Sequence, residues 1–298
     1  MHVSRALLVG VSAAALGGGL IISAAVASPK SVPAGHALTG HAHLTARFLS
    51  EARAALVKDL RTPDTGQFVD GQPRAGIRAA TTDVGSYNWA GYADISSTAD
   101  TFTKVSGSWA VPALTCTAED RVTSDWVGLD GATDATVEQD GTASQCFEGT
   151  ALYYSWYEMY PAGTVEVGTT VAPGDAIGAS VTRSGSSYTL KLTDFTTAGN
   201  SFTKKATCAT TTCLDESAEW IAERPAYSTT GIVPETQFKT VKFSKASETA
   251  NGTTSTISGY SGTNDDIACV DSTDTYDIVT TSGLTGGNSF TNTWKNSY

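Results

Sequence analysis

The 298-residue sequence predicts an all-β protein, and three observations carry that expectation. Charged residues make up only 16% of the chain while glycines number 29, a balance foreign to helical, coiled-coil and disordered proteins. From residue 84 onward, short runs alternating at period two are broken by Gly, Ser, Thr, Asn and Asp. No window there supports a long amphipathic helix. About a dozen such runs at near-regular spacing indicate one antiparallel β-sandwich or barrel, large enough to bury a full core without disulfide staples.

Residues 1–27 read as a signal peptide. His2 and Arg5 give a short basic start, an apolar run follows to Ala27, and Ala25-Val26-Ala27 offers the small residues that a signal peptidase reads. An uncleaved anchor is the alternative, but Gly17-Gly18-Gly19 and the many alanines make a weak span. The chain is therefore expected to be secreted and extracellular, with no membrane association after signal cleavage.

Residues 28–83 read as a pro-segment. Leu44, Phe48, Leu49, Leu56 and Leu60 recur at helical spacing, and Arg47, Arg53 and Lys58 add positive charge. This basic helix is expected to plug the acidic domain at neutral pH and to be released on acidification. From Arg61 to Arg78 the composition turns to Pro, Asp, Gly and Gln, a loop open to cleavage.

The β domain is expected over residues 84–298. Its candidate strands are Thr101–Val111, Ser124–Leu129, Ala151–Tyr160, Thr164–Val171, Ala176–Arg183, Tyr188–Thr193, Ser201–Ala206, Ala218–Glu223, Phe238–Phe243, Asp277–Thr281 and Ser289–Trp294. Most carry Val, Thr, Tyr, Phe or Trp at alternate positions, as a pleated surface favours.

Charge and composition then restrict the chemistry. Residues 1–83 hold eight Lys and Arg against five Asp and Glu, a net of +3; residues 84–298 hold eleven against twenty-five, a net of −14. So acidic a domain makes a poor nucleic-acid binder. All four histidines (His2, His36, His41, His43) precede residue 84. A Ser-His-Asp triad, a Cys-His pair and a His-ligated zinc are thereby excluded from the β domain, which is left with carboxylates, amides, hydroxyls and a few lysines. No metal or cofactor is expected. Five cysteines in an exported chain suggest oxidation. Cys208 is close enough to Cys213 to close a small loop, and Cys116 with Cys146 could tie the loops flanking Trp126 and Gln139, leaving Cys269 over. Five cysteines permit fifteen ways of making two bridges, so the pairing stays open.

Three clusters mix bulky aromatics with carboxylates: Ser124–Gly131 continuing through Thr136–Gly141, Tyr153–Pro161, and Ser217–Glu223. Period two puts Trp156 and Glu158 on one strand face, and Glu219, Ile221 and Glu223 on another, opposite Trp220. A glutamate-bearing face suits a cleft better than a core, because a buried unpaired carboxylate is costly. Each residue alone has a plainer reading: the aromatics as sandwich core, the glutamates as solvated charges, Gln139 as a residue entering a turn. Their joint occurrence in a histidine-free, acidic, exported domain outweighs these.

Trp126-Val-Gly-Leu-Asp130-Gly, Val137-Glu-Gln139-x-Gly141, Trp156-Tyr-Glu158-x-Tyr-Pro161 and Ala218-Glu219-Trp220-Ile221 together resemble the glutamic peptidases, or eqolisins. Asn88-Trp89-Ala-Gly91 resembles the start of their mature chain, and the likeness extends over roughly residues 86–298. The resemblance implies two large, bent, seven-stranded antiparallel sheets in a jelly-roll or concanavalin-like sandwich, and acid endopeptidase activity on polypeptide substrates. It also implies a catalytic dyad of Gln139 and Glu219, with Trp89, Trp126, Asp130, Trp156 and Glu158 lining the cleft or supporting the dyad. Residues 1–83 add no family motif, only a layout compatible with an exported zymogen, whose expected partners are its substrates and its own pro-segment and which is expected to act as a monomer. The chemistry agrees: an ionised Glu219 can take a proton from water, and the Gln139 amide can donate to an oxyanion while staying neutral at every working pH. A jelly-roll glycoside hydrolase using Glu158 and Glu219 is the alternative enzyme, and a non-catalytic carbohydrate-binding sandwich the alternative without catalysis.

Overall fold

The computed structural model describes residues 60–61, 65–69, 82–167, 171–210, 212–227 and 231–296. The signal peptide and nearly all of the expected Leu44–Leu60 helix lie outside them. Only Leu60 is described, and it is extended, opposite Tyr227.

Nineteen strands and two single-turn 3-10 segments make up the secondary structure of the described residues. The first seven strands are β1 Leu60–Arg61, β2 Thr82–Ser86, β3 Trp89–Ile95, β4 Phe102–Ala110, β5 Arg121–Leu129, β6 Val137–Phe147 and β7 Thr150–Tyr160. Next come β8 Val165–Glu166, β9 Ala176–Ser184, β10 Ser187–Asp194, β11 Phe202–Thr207, β12 Ser217–Glu223, β13 Ala226–Tyr227 and β14 Gly231–Ile232. The last are β15 Thr240–Ala250, β16 Thr253–Ser255, β17 Thr263–Val270, β18 Asp277–Thr281 and β19 Phe290–Trp294.

Most strands follow one hydrogen-bonded path, β11-β10-β9-β4-β15-β19-β18-β17-β3-β12-β5-β6-β7-β8, folded into two layers; β16 pairs with β15 off this path, and β1-β13-β14 form a separate small sheet. The hinge between layers is β15. Its first residues, Thr240–Phe243, pair with β19; Ser244 already pairs with β4, and beyond a register shift around Lys245, which has φ of 54°, Ser247–Ala250 continue that pairing. Pairing along the path is antiparallel, and β2 joins β17 in parallel. This is the β-sandwich the sequence predicts.

The main core lies between the layers. Tyr92, Val127, Leu129 and Trp220 from the front layer meet Val105, Trp109, Ile177, Val181 and Leu190 from the back, and Phe243 of the hinge strand joins the same cluster. In β10 the alternation is clear: Tyr188, Leu190 and Leu192 are buried while Lys191 is exposed. The front layer is covered on its second face as well, where Trp89, Ala93, Trp126, Tyr154, Trp156, Ile221 and Ile267 form another cluster. Strands β5, β6 and β12 are accordingly buried almost from end to end.

Some element boundaries differ from the sequence expectation. The longer strands β3, β6 and β17 and the shorter β1, β2, β13, β14 and β16 are additional, β8 is far shorter than Thr164–Val171, and β15 runs seven residues past Phe243. Gln139 stands within β6 and not at a turn. Within the loop expected at Arg61–Arg78, residues 65–69 are bound to the β domain, Phe68 bridging to Ser86. Disulfides join Cys116 to Cys146 and Cys208 to Cys213, and Cys269 is a buried free thiol. Burial pushes the Cys269 thiol up to about 12, which makes it inert at working pH.

Candidate active site

Four adjacent strands of the front layer bring the sequence candidates into one row. Glu219 in β12 stands opposite Gly128 in β5, Gly128 opposite Gln139 in β6, and Gln139 opposite Glu158 in β7. With strands about 4.8 Å apart, Glu219 and Gln139 are separated by about 10 Å at the backbone and share a face. Between them Gly128 adds no side chain. A Cβ at that position would stand 2.8 Å from the Trp126 ring and 3.3 Å from the Gln139 Cβ, so glycine is what admits the indole.

The neighbouring row is Ile221, Trp126, Gly141 and Trp156. Gly141 is again sterically required, since a Cβ there would lie 2.2 Å from the Asp125 carbonyl oxygen. Trp126 is locked from two sides. Its Nε1 donates to Glu223 Oε2 at 2.8 Å, and Trp89 packs edge-on against it with centroids 5.1 Å apart. Trp156 completes the apolar floor of the same face.

Gln139 Nε2 donates to Glu158 Oε2 at 2.8 Å, and Thr164 Oγ1 donates to Glu158 Oε1 at 2.8 Å. The Glu158 carboxylate thus fixes the plane of the Gln139 amide and is itself held by a hydroxyl. Glu219 is fully buried, and neither carboxylate oxygen has a hydrogen-bond partner of normal geometry among the described residues. Burial holds its carboxyl well above the ordinary range; the Ser217 side chain opposes this, and Asp130, Asp134 and Glu138 add to it.

Asp130 does not join the row. The chain turns at Asp130, with φ of 69°, and its carboxylate accepts the backbone N–H of Asp215 at 2.7 Å and of Glu216 at 2.8 Å. It therefore braces the residues that lead into β12, one strand turn before Glu219. Asp130, Glu138 and Asp215 bring carboxyl oxygens within 4.8 Å of one another. Arg183 Nε pairs with Asp215 at 2.9 Å and Tyr188 donates to it at 3.0 Å. Burial pushes Asp130 up to about 7 and Asp215 up to about 6.

Six of the seven sequence candidates, Gln139, Glu219, Glu158, Trp126, Trp156 and Trp89, share this face. Thr164, expected only as the first residue of a strand over Thr164–Val171 and in fact just before β8, carried no signal of a role in the site. Glu223 was visible on the Glu219 face by its period-two spacing, though its bond to Trp126 was not. Phe68, which meets Trp89 edge-on at 6.0 Å, lies in a stretch that reads as a linker.

A model of the peptidase A4 family matches residues 87–294. Among solved structures, the chain is similar to scytalido-glutamic peptidase with a transition state analog inhibitor, at 24% identity over 70% of this chain and 98% of that one, with a TM-score of 0.60. It is similar to the aspergilloglutamic peptidase from Aspergillus niger at 26% identity, covering 59% of this chain and 99% of that one, with a TM-score of 0.51. SCP-B, an eqolisin family member in a complex with the tripeptide Ala-Ile-His, matches at 23% identity over 70% and 98% of the two chains, with a TM-score of 0.56. No curated protein sequence matches.

Proposed function

The chain belongs to the peptidase A4 family, a glutamic-type endopeptidase acting on polypeptides, and on that premise we propose that Glu219 and Gln139 are its catalytic dyad. The observation that carries this is their common face on either side of Gly128, with the Gln139 amide oriented by Glu158.

The steps follow from the residue types. A peptide laid across the row presents its carbonyl between the two side chains. Ionised Glu219 takes a proton from a water molecule, and the oxygen bonds to the carbonyl carbon as the C=O pair moves to oxygen. The Gln139 amide donates to that oxyanion. Glu219 then passes the proton to the peptide nitrogen, the C–N bond breaks, and an acid and an amine leave. Base and donor both come from the chain, so no metal or cofactor is required. Burial favours neutral Glu219, and admitting water to the site returns the carboxyl toward its ordinary range, where it serves as base at acid pH. Trp126, Trp156 and Trp89 wall the site, Glu158 positions Gln139, and Asp130 braces the approach to β12.

In the same reading the protein is made with a signal peptide at 1–27 and a pro-segment at 28–83, and is secreted as a monomer whose peptidase domain is 84–298. Two disulfides fit an oxidising compartment. Nucleic acid is not a partner of so acidic a domain.

Glu219→Gln and Gln139→Ala are each expected to cut turnover of denatured casein at acid pH by about 100- to 1000-fold, the usual cost of losing such a group. Circular dichroism should match the parent. Near-normal kcat in folded Glu219→Gln would sink the dyad.

A further inference from the structure

Residues 65–69 lie against the β domain through a single antiparallel bridge at Phe68 and flanking backbone hydrogen bonds, not as a free linker. Val69 N donates to the Gly85 carbonyl at 2.9 Å and Tyr87 N to the Gln67 carbonyl at 2.9 Å, an antiparallel bridge centred on Phe68 and Ser86. On the other side, Gly66 N donates to the Gly131 carbonyl at 2.9 Å. The Asn88 side chain serves as an artificial strand partner: its Oδ1 accepts from Gln67 N at 2.8 Å and its Nδ2 donates to the Thr65 carbonyl at 3.2 Å.

These contacts engage the backbone of the segment, so any extended peptide would satisfy them, which is the mark of recognition by strand addition. Side chains enter at two positions. Phe68 packs edge-on against Trp89, which rests on Trp126 beside the dyad. Gly66 sits where a Cβ would stand 2.4 Å from the Phe68 ring and 3.0 Å from Trp89.

We infer that Gly85–Asn88 and Gly131 form a peptide-binding subsite of the cleft, with Asn88 as backbone clamp and Trp89 as wall of a pocket for a large apolar side chain, and that the uncleaved chain fills this subsite with its own Thr65–Val69. The inference rests on the reading of this cleft as the peptidase site. It assigns a substrate pattern, a large apolar residue preceded two positions earlier by glycine or another small residue. It also relocates the block of the site from a basic helix at 44–60 to the bridged segment at 65–69.

The test uses the full chain. Phe68→Asp should expose Trp89 and raise acrylamide quenching of tryptophan fluorescence at neutral pH, and should shorten the lag before casein cleavage on acidification several-fold. Phe68→Leu should behave as the parent, and Gly66→Val, which crowds Phe68 and Trp89, as Phe68→Asp; far-UV circular dichroism checks folding of each. Intact mass of the active species should show loss of residues 65–69, and a peptide library should show enrichment of the small-x-large pattern. An active species that keeps 65–69, or Phe68→Asp and Gly66→Val both quenched like the parent, would overturn the inference while leaving the peptidase reading intact. Raised quenching without peptide release at any pH would support the bridged segment and refute the dyad instead.

Discussion

Glu158 illustrates how a carboxyl group beside the proposed dyad would act through another residue. Both its oxygens are engaged, one by the Gln139 amide and one by Thr164, so it is occupied in holding Gln139. Thr164→Val removes one hydrogen bond to the Glu158 carboxyl group, worth about 0.5–1.5 kcal/mol. If that loss is felt in the orientation of Gln139, kcat should fall roughly 2- to 10-fold at little change in KM, since about 1.4 kcal/mol is a factor of ten. Serine at 164 should restore it. A fall in KM-related binding alone, or no rescue by serine, would show that Thr164 does not act through Glu158. At this scale the sequence was a good guide to identity and a poor one to role. Glu158, Gln139, Glu219 and the tryptophans were visible as residue types at period two. Which carboxylate is bonded to the amide depends on cross-strand register, which no local spacing records. For Asp130 the sequence left open whether it lines the cleft or supports the dyad, and its turn directs it to the Asp215 and Glu216 backbone ahead of β12.

Strands were legible where one face meets solvent. In β9 and β10 alternation survives, and the expected boundaries lie within a residue or two of those observed. In β6 both faces are covered, one by the back layer and one by the tryptophan cluster, and the segment Val-Glu-Gln-Asp-Gly-Thr-Ala-Ser-Gln-Cys-Phe shows no apolar period. The strand that bears Gln139 was therefore among those that alternation does not reveal, as were β3 and β17. The same close packing makes Gly91 indispensable to the β3–β12 pair. Its φ is +146°, and a Cβ there would stand 2.0 Å from the Trp220 carbonyl oxygen. Gly91→Ala must part the two strands in the registers that place Ala93 beside Glu219. It is expected to lower stability by at least about 2 kcal/mol and to cut activity, read as the midpoint of a urea titration beside the casein assay. An unchanged midpoint would mean that β3 and β12 separate at no cost, contrary to their burial.

Across the whole molecule, the net charge of −14 in residues 84–298 understates how many carboxyls have been taken from water. Burial is the leading cause in each case. It pushes Asp125 and Glu235 up to about 8, Asp130 up to about 7, and Asp215 and Asp265 up to about 6. It holds Asp94, Glu138 and Asp140 well above the ordinary range. Asp125 and Asp140 show why: no oxygen of either has a hydrogen-bond partner of normal geometry among the described residues, so an ionised form there would be uncompensated. Opposing groups are few; Arg183 and Tyr188 lower Asp215, while Thr123 and Arg224 lower Glu235. In the unfolded chain these carboxyls ionise near pH 4, whereas in the folded chain Asp125, Asp130, Asp215, Glu235 and Asp265 keep their protons to about pH 6–8. Between those limits the folded state binds more protons, so the slope of unfolding free energy with pH is negative. The stabilisation is complete below about pH 4 and is lost as pH rises through the folded values. Self-repulsion of the acidic surface acts in the same direction. The melting temperature should therefore be highest in acid and fall steadily from about pH 4 to pH 8. Asp125→Asn, which cannot ionise and keeps the side-chain shape, should flatten the upper part of that fall. Scanning calorimetry at half-unit steps of pH measures both. A melting temperature that is flat or rises toward neutrality would show that these carboxyls are hydrated in the folded protein, and an Asp125→Asn profile superimposable on the parent would remove Asp125 from the set.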